Sequence, residues 1–250
     1  FVNLFLWMLI YPWEITGFIK DMIIGICGKK QSGKNTVACM LQYLIACSHL
    51  NINPTYKDYI TNSKKTYGSD VRAFADPLKE IIGALAFIPA YCLDEERFKN
   101  LPIPVKLNKL FKDDNSTHTY RQLLQYLGTD VFRKLNESIW IDSLMIYKDS
   151  LSPCTVLIIP DVRFPNEAEA ILNECDENII IKITRNTGNN DSHISEQSVD
   201  EVKPTYELEN NGSFKDLFNK VGLIYHDIFH KEEDFELESR ITEYKCNQGL

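Results

Sequence analysis

Met22-Ile23-Ile24-Gly25-Ile26-Cys27-Gly28-Lys29-Lys30-Gln31-Ser32-Gly33-Lys34-Asn35-Thr36 decides how the rest of the chain is read. An apolar, strand-like run ends at Gly28, and a helical stretch from Val37 to Ala46 follows the turn. A G-x-x-x-x-G-K match gains meaning from this strand–turn–helix setting. Gly28 and Gly33 admit backbone conformations closed to other residues, so that amide N–H groups can converge on an anion. The first turn of the next helix adds free N–H groups and a favourable dipole. Lys34 would then set a full positive charge against the β- and γ-phosphates of a nucleotide. Where a Ser or Thr usually reaches Mg²⁺, this chain has Asn35, a neutral oxygen donor that could act directly or through water, with Thr36 next. The plain alternative is a Gly/Lys-rich turn that binds nothing.

Working outward, the leader Phe1 to Asp21 is apolar to Tyr11 and then broken by Pro12 and Glu14, short of the roughly 20 residues a spanning helix needs. It is read as an extension (1–21) outside the fold, with translation starting at Met22; a membrane-surface anchor is the alternative. Residues 51–70 are polar and read as an exposed connection. Val71 to Ala75 reads as a short strand, followed by Asp76-Pro77 and a helix from Leu78 to Leu85. Residues 86–119, broken by Pro102 and Pro104, read as a variable, partly helical insertion. A helix from Tyr120 to Leu127 is interrupted or ended by Gly128-Thr129-Asp130, and another runs from about Ser138 through Trp140 and Leu144 to Tyr147. Val156 to Ile159 and Asn178 to Thr184 are near-continuous apolar runs, as in parallel strands buried on both faces. The first leads through Pro160-Asp161-Val162-Arg163 into a helix from Asn166 to Glu174. A polar loop from Arg185 to Glu196, a short strand from Tyr206 to Glu209, an amphipathic helix from Phe214 to Tyr225 and a charged tail (231–250) complete the chain.

Strands alternating with helices predict an α/β fold: a three-layer αβα arrangement around a parallel sheet of about five strands, with the folded domain spanning 22–230. The 250 residues suffice for one such domain. With 27 basic and 35 acidic residues, the net charge of −8 disfavours a nucleic-acid polymer as partner. Seven cysteines without a C-x-x-C pair suggest neither a disulfide framework nor a zinc site, and point to a reducing compartment.

Topology then selects charged residues. Those that follow strands gather at one edge of a parallel sheet. Lys30, Lys79, Arg121 and Arg163 are therefore expected to form a cationic pocket fit for two phosphate-bearing ligands head to head. A unit charge pair at about 4 Å is worth about 4 kcal/mol at an effective dielectric near 20, so grouped cations need anions between them. Plainer readings stand beside these. Arg163 could pair with Asp161 or Glu167, Lys79 could be a solvated lysine, and Trp140 could be core. Arg121 opens a helix, where the dipole disfavours a cation, so it should face an anion or an acid. His193 lacks a defined partner, and phosphoryl transfer needs little acid–base chemistry.

Taken together, GKKQSGKNT (28–36), FADPLKEI (74–81), RQLLQYLGTD (121–130) with Trp140, PDVRFPNEAEA (160–170), NDSHISE (190–196) and LENNGSFKDLF (208–218) resemble the deoxynucleoside monophosphate kinases of bacteriophages and large DNA viruses. The resemblance covers about 22–225 and implies a P-loop, NMP-kinase-like fold, with ATP and Mg²⁺ as cofactors. By motif position, Gly28, Gln31, Ser32, Gly33, Lys34, Asn35, Thr36 and Asn210 would bind ATP. Lys30, Leu78, Lys79, Arg121, Gly128, Thr129, Trp140, Asp161, Arg163 and Glu167 would meet the dNMP. Lys34, Lys30, Arg163 and Arg121 would be catalytic, and Asn35 and Asp161 would lie nearest the metal. The family often has a basic residue at Gln31 and Asp at Asn35, so metal handling departs here. The kinship also implies a cytoplasmic enzyme (host cytoplasm if viral), expects no membrane partner, and leaves a homodimer open. Competing readings are a phosphomevalonate-kinase-like enzyme and a P-loop switch or motor ATPase. A guanine-specifying N-K-x-D sequence is absent, as is an apolar run ending in Asp-Glu.

Overall fold

Every strand of the sheet runs the same way, and helices return the chain to the starting edge between the first and second, second and third, and third and fourth strands. The computed structural model describes residues 21–62, 67–112, 117–186 and 198–229. The expectations for residues 1–20, for His193 and for the tail lie outside the described residues. In chain order the elements begin β1 (Ile23–Gly28), α1 (Lys34–His49), α2 (Tyr56–Asn62), β2 (Ser69–Val71) and α3 (Asp76–Ala86). Next come α4 (Glu96–Lys99), α5 (Tyr120–Gln125), α6 (Arg133–Leu135) and α7 (Ile139–Asp149). The chain closes with β3 (Val156–Val162), α8 (Pro165–Glu174), β4 (Ile179–Thr184), β5 (Tyr206–Glu209) and α9 (Phe214–Phe229). The strand order is β2-β3-β1-β4-β5, all parallel, which is the expected three-layer α/β architecture.

Alternation along the central strands divides the core. Ile24 and Ile26, Val156 and Ile158, and Ile179 and Ile181 face α1, α2 and α9. Ile23 and Cys27, Leu157 and Ile159, and Ile180 face α3, α5, α7 and α8. Since β1 is covered on both faces and flanked by β3 and β4, all six of its residues are buried.

Four local readings are corrected. Residues 51–70 contain α2, whose Tyr59 packs with ring centroids 5.3 Å from both Tyr43 and Phe218; Thr55 starts that helix by accepting the Asp58 N–H. The second strand is Ser69–Val71 rather than 71–75. Past Arg72, which still donates to the Ile158 carbonyl, side-chain carboxylates take the amides of Ala73 (Asp76), Phe74 and Ala75 (both Asp161), so the chain leaves the ladder. The third strand continues through Pro160 to Val162. Ile159 pairs with Gly25 and Val162 with Cys27, so Pro160 and Asp161 together oppose the single Ile26. Such a bulge tolerates a proline and re-aims the side chain beside it. Finally, α9 runs to Phe229, one turn past Tyr225.

The helix expected to be interrupted or ended at Gly128 is interrupted there by a wider winding. Tyr126–Phe132 adopts π pitch before α6 resumes α geometry. Ahead of it, Thr119 and Gln122 form a reciprocal cap on α5. No described helix is long and apolar enough to cross a membrane.

Asn178, buried at the start of β4, ties two layers together: its Oδ1 accepts the Ile23 N–H at 2.7 Å and its Nδ2 donates to the Ile171 carbonyl at 2.8 Å. Asn178→Ala leaves both backbone groups buried and unpaired, a loss of about 1–3 kcal/mol for each group. Urea denaturation should show a lower midpoint with an unchanged slope; a loss under about 1 kcal/mol would mean the two groups find other partners.

Candidate active site

The loop between β1 and α1 is built around two strained positions. Gly28 has φ +151°, and a Cβ there would lie 2.6 Å from the Ile183 carbonyl oxygen. Gly33 caps α1 in the left-handed region at φ 104°, where a Cβ would lie 2.6 Å from Asn210 Nδ2. Gln31, at φ 63°, turns the chain between them. No acidic side chain sits in the first turn of α1, so its amides keep their pull on an external anion. Lys34 folds back over the loop, its Nζ donating to the carbonyls of Gly28 (2.6 Å) and Lys29 (2.9 Å). The buried Ser32 hydroxyl oxygen has no hydrogen-bond partner among the described residues. An orphaned hydroxyl, converging amides and a cradle that a Cβ would fill together suit a bound phosphate. Asn35 is exposed at the rim with Thr36 next to it, so two neutral oxygen donors are available to a hydrated Mg²⁺. Among the described residues no three His, Cys, Asp or Glu side chains form a metal cluster.

In front of this loop lies a cleft of about 690 Å³ at the carboxyl edge of the sheet. Lys30, Gln31, Gly33, Lys34, Asn35 and Thr36 line one side of it. Leu78, Lys79, Arg121, Gly128, Thr129, Trp140, Asp161, Arg163 and Glu167 line the remainder. Gly28, Ser32 and Asn210 are not on its wall. Asn210 stands behind the loop, where its Nδ2 donates to the Ser32 carbonyl at 2.8 Å, so its contact is with the loop's backbone.

The acceptor side is held by buried carboxylates. Asp161, turned by the β3 bulge, accepts the N–H of Phe74 (2.8 Å) and of Ala75 (3.0 Å) and so fixes the loop that opens α3. Burial raises its pKa, while those two amides, Arg163 and Lys79 oppose the shift. Glu167 reaches back from the first turn of α8 to the amides of Arg163 (2.8 Å) and Phe164 (3.1 Å), and its other oxygen pairs with Arg133. The Arg133 guanidinium also lies 3.8 Å over the Phe164 ring. Burial pushes the Glu167 carboxyl up to about 7, with Arg133 and the two amides pulling the other way. Trp140 is mostly buried and its indole N–H donates to the Gly128 carbonyl at 3.1 Å, which the π stretch leaves available.

Around the mouth, cations and acids interlock. Lys79 Nζ is 2.7 Å from both Asp76 and Asp94. Burial works against its charge, but those two acids outweigh it and its pKa rises. Arg121 pairs with Glu96 at 2.5 Å and meets the expectation that it faces an acid. Glu96 in turn is held ionised below its usual pKa; burial resists, and Arg121 and Lys99 prevail. Lys99, Arg133, Asp94 and Glu96 escaped the sequence reading. None stands in a motif, and a signal for Arg133 would have been the need of a buried Glu167 for a cation.

A family model described as deoxynucleotide monophosphate kinase matches residues 78–221. A protein of Acanthamoeba polyphaga mimivirus, described as a candidate deoxynucleotide monophosphate kinase, is 28% identical over 215 residues, covering 80% of this chain and 94% of the relative.

Arg133→Met strands the Glu167 carboxylate. At about pH 8 the expected loss of stability is about 3–5 kcal/mol. Removing the cation lifts the folded-state pKa of Glu167 still further above its unfolded value. Stability in that variant is therefore greatest at low pH and falls as pH rises through the window between the two values. Denaturation at about pH 5.5 should show a much smaller deficit; equal deficits at both pH values would contradict the charge argument.

Proposed function

The chain belongs to the deoxynucleotide monophosphate kinase family, and from that premise we propose that it transfers the γ-phosphoryl group of ATP to a deoxynucleoside monophosphate, giving ADP and the diphosphate. The observation that carries this reading is the meeting of a phosphate-type loop with cations from separate segments in one cleft. Lys30 comes from the loop, Lys79 from α3, Arg121 from α5 and Arg163 from the turn after β3.

In this reading the amides of Gln31 to Thr36 hold the β- and γ-phosphates, and Lys34 exchanges its two carbonyl partners for phosphate oxygens. Asn35 and Thr36 would hold Mg²⁺, directly or through water, and the ion would supply neutralisation of phosphate charge. The acceptor is a phosphate dianion, nucleophilic without a general base. Its approach to ATP is opposed by charge, and Lys30, Lys79, Arg121 and Arg163 cancel that repulsion. Trp140, Leu78 and the π-wound Gly128-Thr129 step form the wall against which a base would lie. Asp161 acts by setting the loop ahead of Leu78 and Lys79. Glu167 acts by fixing the backbone of Arg163. The two carboxylates thus position the site rather than meet the reacting atoms, and no proton transfer is asked of either.

A coupled ADP-release assay across all dNMPs and NMPs should find turnover with at least one dNMP. Lys34→Ala and Arg163→Ala should each lower kcat/KM by at least about a hundredfold with the thermal midpoint preserved. Near-normal turnover in either variant would remove that residue from the mechanism. Turnover of mevalonate phosphate in place of any dNMP, or DNA-stimulated hydrolysis of ATP alone, would overturn the assignment.

A further inference from the structure

Three cations crowd one corner of the cleft, and one of them belongs to a segment with no part in the reading so far. Lys99 ends α4, lines the cleft with Lys79 and Arg121, and has its side chain about 20% exposed. The element that carries it is anchored. Leu93 is fully buried, Phe98 packs against Tyr120 with ring centroids 5.2 Å apart, and Arg121 Nε donates to Asn100. The chain then bridges to the start of α5, with Tyr120 N–H donating to the Leu101 carbonyl and Ile103 N–H to that of His118. Lys99 is therefore held at the cleft by a fixed wall.

Its company is unfavourable without an anion. A single carboxylate, Glu96, serves both Arg121 (2.5 Å) and Lys99 (3.6 Å). Lys79 is served by Asp76 and by Asp94, which lies just ahead of α4. Burial depresses the pKa of Lys99; Glu96 counteracts this, while the charges of Lys79 and Arg121 add to the depression. Like charges are assembled in a partly desolvated corner and balanced by Asp76 and by two acids of one short segment, Asp94 and Glu96. A tetrahedral phosphate offers three terminal oxygens and two charges at one point, and so can satisfy all three cations at once.

We propose that Lys99 completes, with Lys79 and Arg121, the seat for the acceptor's phosphate, and that Glu96 and Asp94 occupy that seat as internal stand-ins until the acceptor displaces them. This rests on the kinase reading above and adds to it a binding residue and two competitors. The acceptor's phosphate is the nucleophile of the transfer, and Lys99 balances its charge in the bound state as well as in the transition state, so it governs acceptor binding more than turnover. Glu96 opposes that binding, and its neutralisation strengthens it.

Steady-state kinetics of Lys99→Met, Lys99→Arg and Glu96→Gln test this, beside calorimetric titration with inorganic phosphate; Lys99→Gln replaces the Met variant if that variant melts early. Lys99→Met should raise KM for the dNMP by about tenfold or more, with kcat changed far less and KM for ATP unchanged. Lys99→Arg should restore most of the loss, and Glu96→Gln should lower the dNMP KM several-fold. Inorganic phosphate should compete with the dNMP in the wild type and lose affinity in Lys99→Met. An unchanged dNMP KM in Lys99→Met, an equal rise in KM for ATP, or a raised KM in Glu96→Gln would overturn the proposal. If the wild type turns over no dNMP, the kinase reading fails by itself. Phosphate titration then still decides the seat, which falls if Lys99→Met binds phosphate as the wild type does.

Discussion

One carboxylate joins the fold of this protein to its cleft. Asp161 sits at the bulge where two residues of β3 face one of β1, and it grips the amides of Phe74 and Ala75 across the edge of the sheet. Those two amides would otherwise have continued β2. By taking them, Asp161 ends the strand, opens α3 and sets the direction in which Leu78 and Lys79 enter the cleft. The cost is a carboxylate in a place that disfavours charge, and the two N–H groups and nearby cations offset it. A buried acid that is fully engaged confers definite geometry even where its net contribution to stability is small.

The same logic runs through the rest of the site. Seven cationic and five acidic side chains line the cleft, so its positive surplus is slight and almost every charge is answered locally. The charges sort into two kinds. Glu167 with Arg133, closed away from water, maintains the backbone around Arg163. Lys79, Arg121 and Lys99 meet their acids at the mouth, where a competing anion can enter. Pairs of the second kind, whose acids stand in solvent, exchange partners at smaller cost, whereas breaking a fully buried pair costs several kcal/mol. The division between what stays and what yields is thus set by access to solvent.

Much of this was legible in the sequence wherever the cause was local. The loop from Gly28 to Thr36 announces itself because its glycines and lysine sit in one run, and the strands at 156–159 and 178–184 because burial on both faces demands an unbroken apolar stretch. The grouping of Lys30, Lys79 and Arg163 followed from topology, since positions after parallel strands share an edge, and Arg121 was marked by opening a helix whose dipole disfavours a cation. What stayed hidden was decided at a distance. The end of β2 depends on a carboxylate 87 positions away. The passage of β3 through Pro160 depends on a bulge that only the pairing with β1 reveals. Tyr59 anchors α2 through aromatic partners on α1 and α9, so seven mostly polar residues concealed a helix. Arg133 and Lys99 carry no motif because their meaning lies in which acid they meet.

The seven residues of π pitch between α5 and α6 act as a phase shift in the coil. Loosening the winding is equivalent to slipping one residue into a regular helix, and one residue is about 100° of azimuth. Upstream, Arg121 is aimed at the mouth of the cleft; downstream, Arg133 is aimed at Phe164 and Glu167. A uniformly wound rod could not point both guanidiniums inward from where they stand. The tolerance for a glycine at the heart of this helix is therefore the means by which a single segment serves two walls.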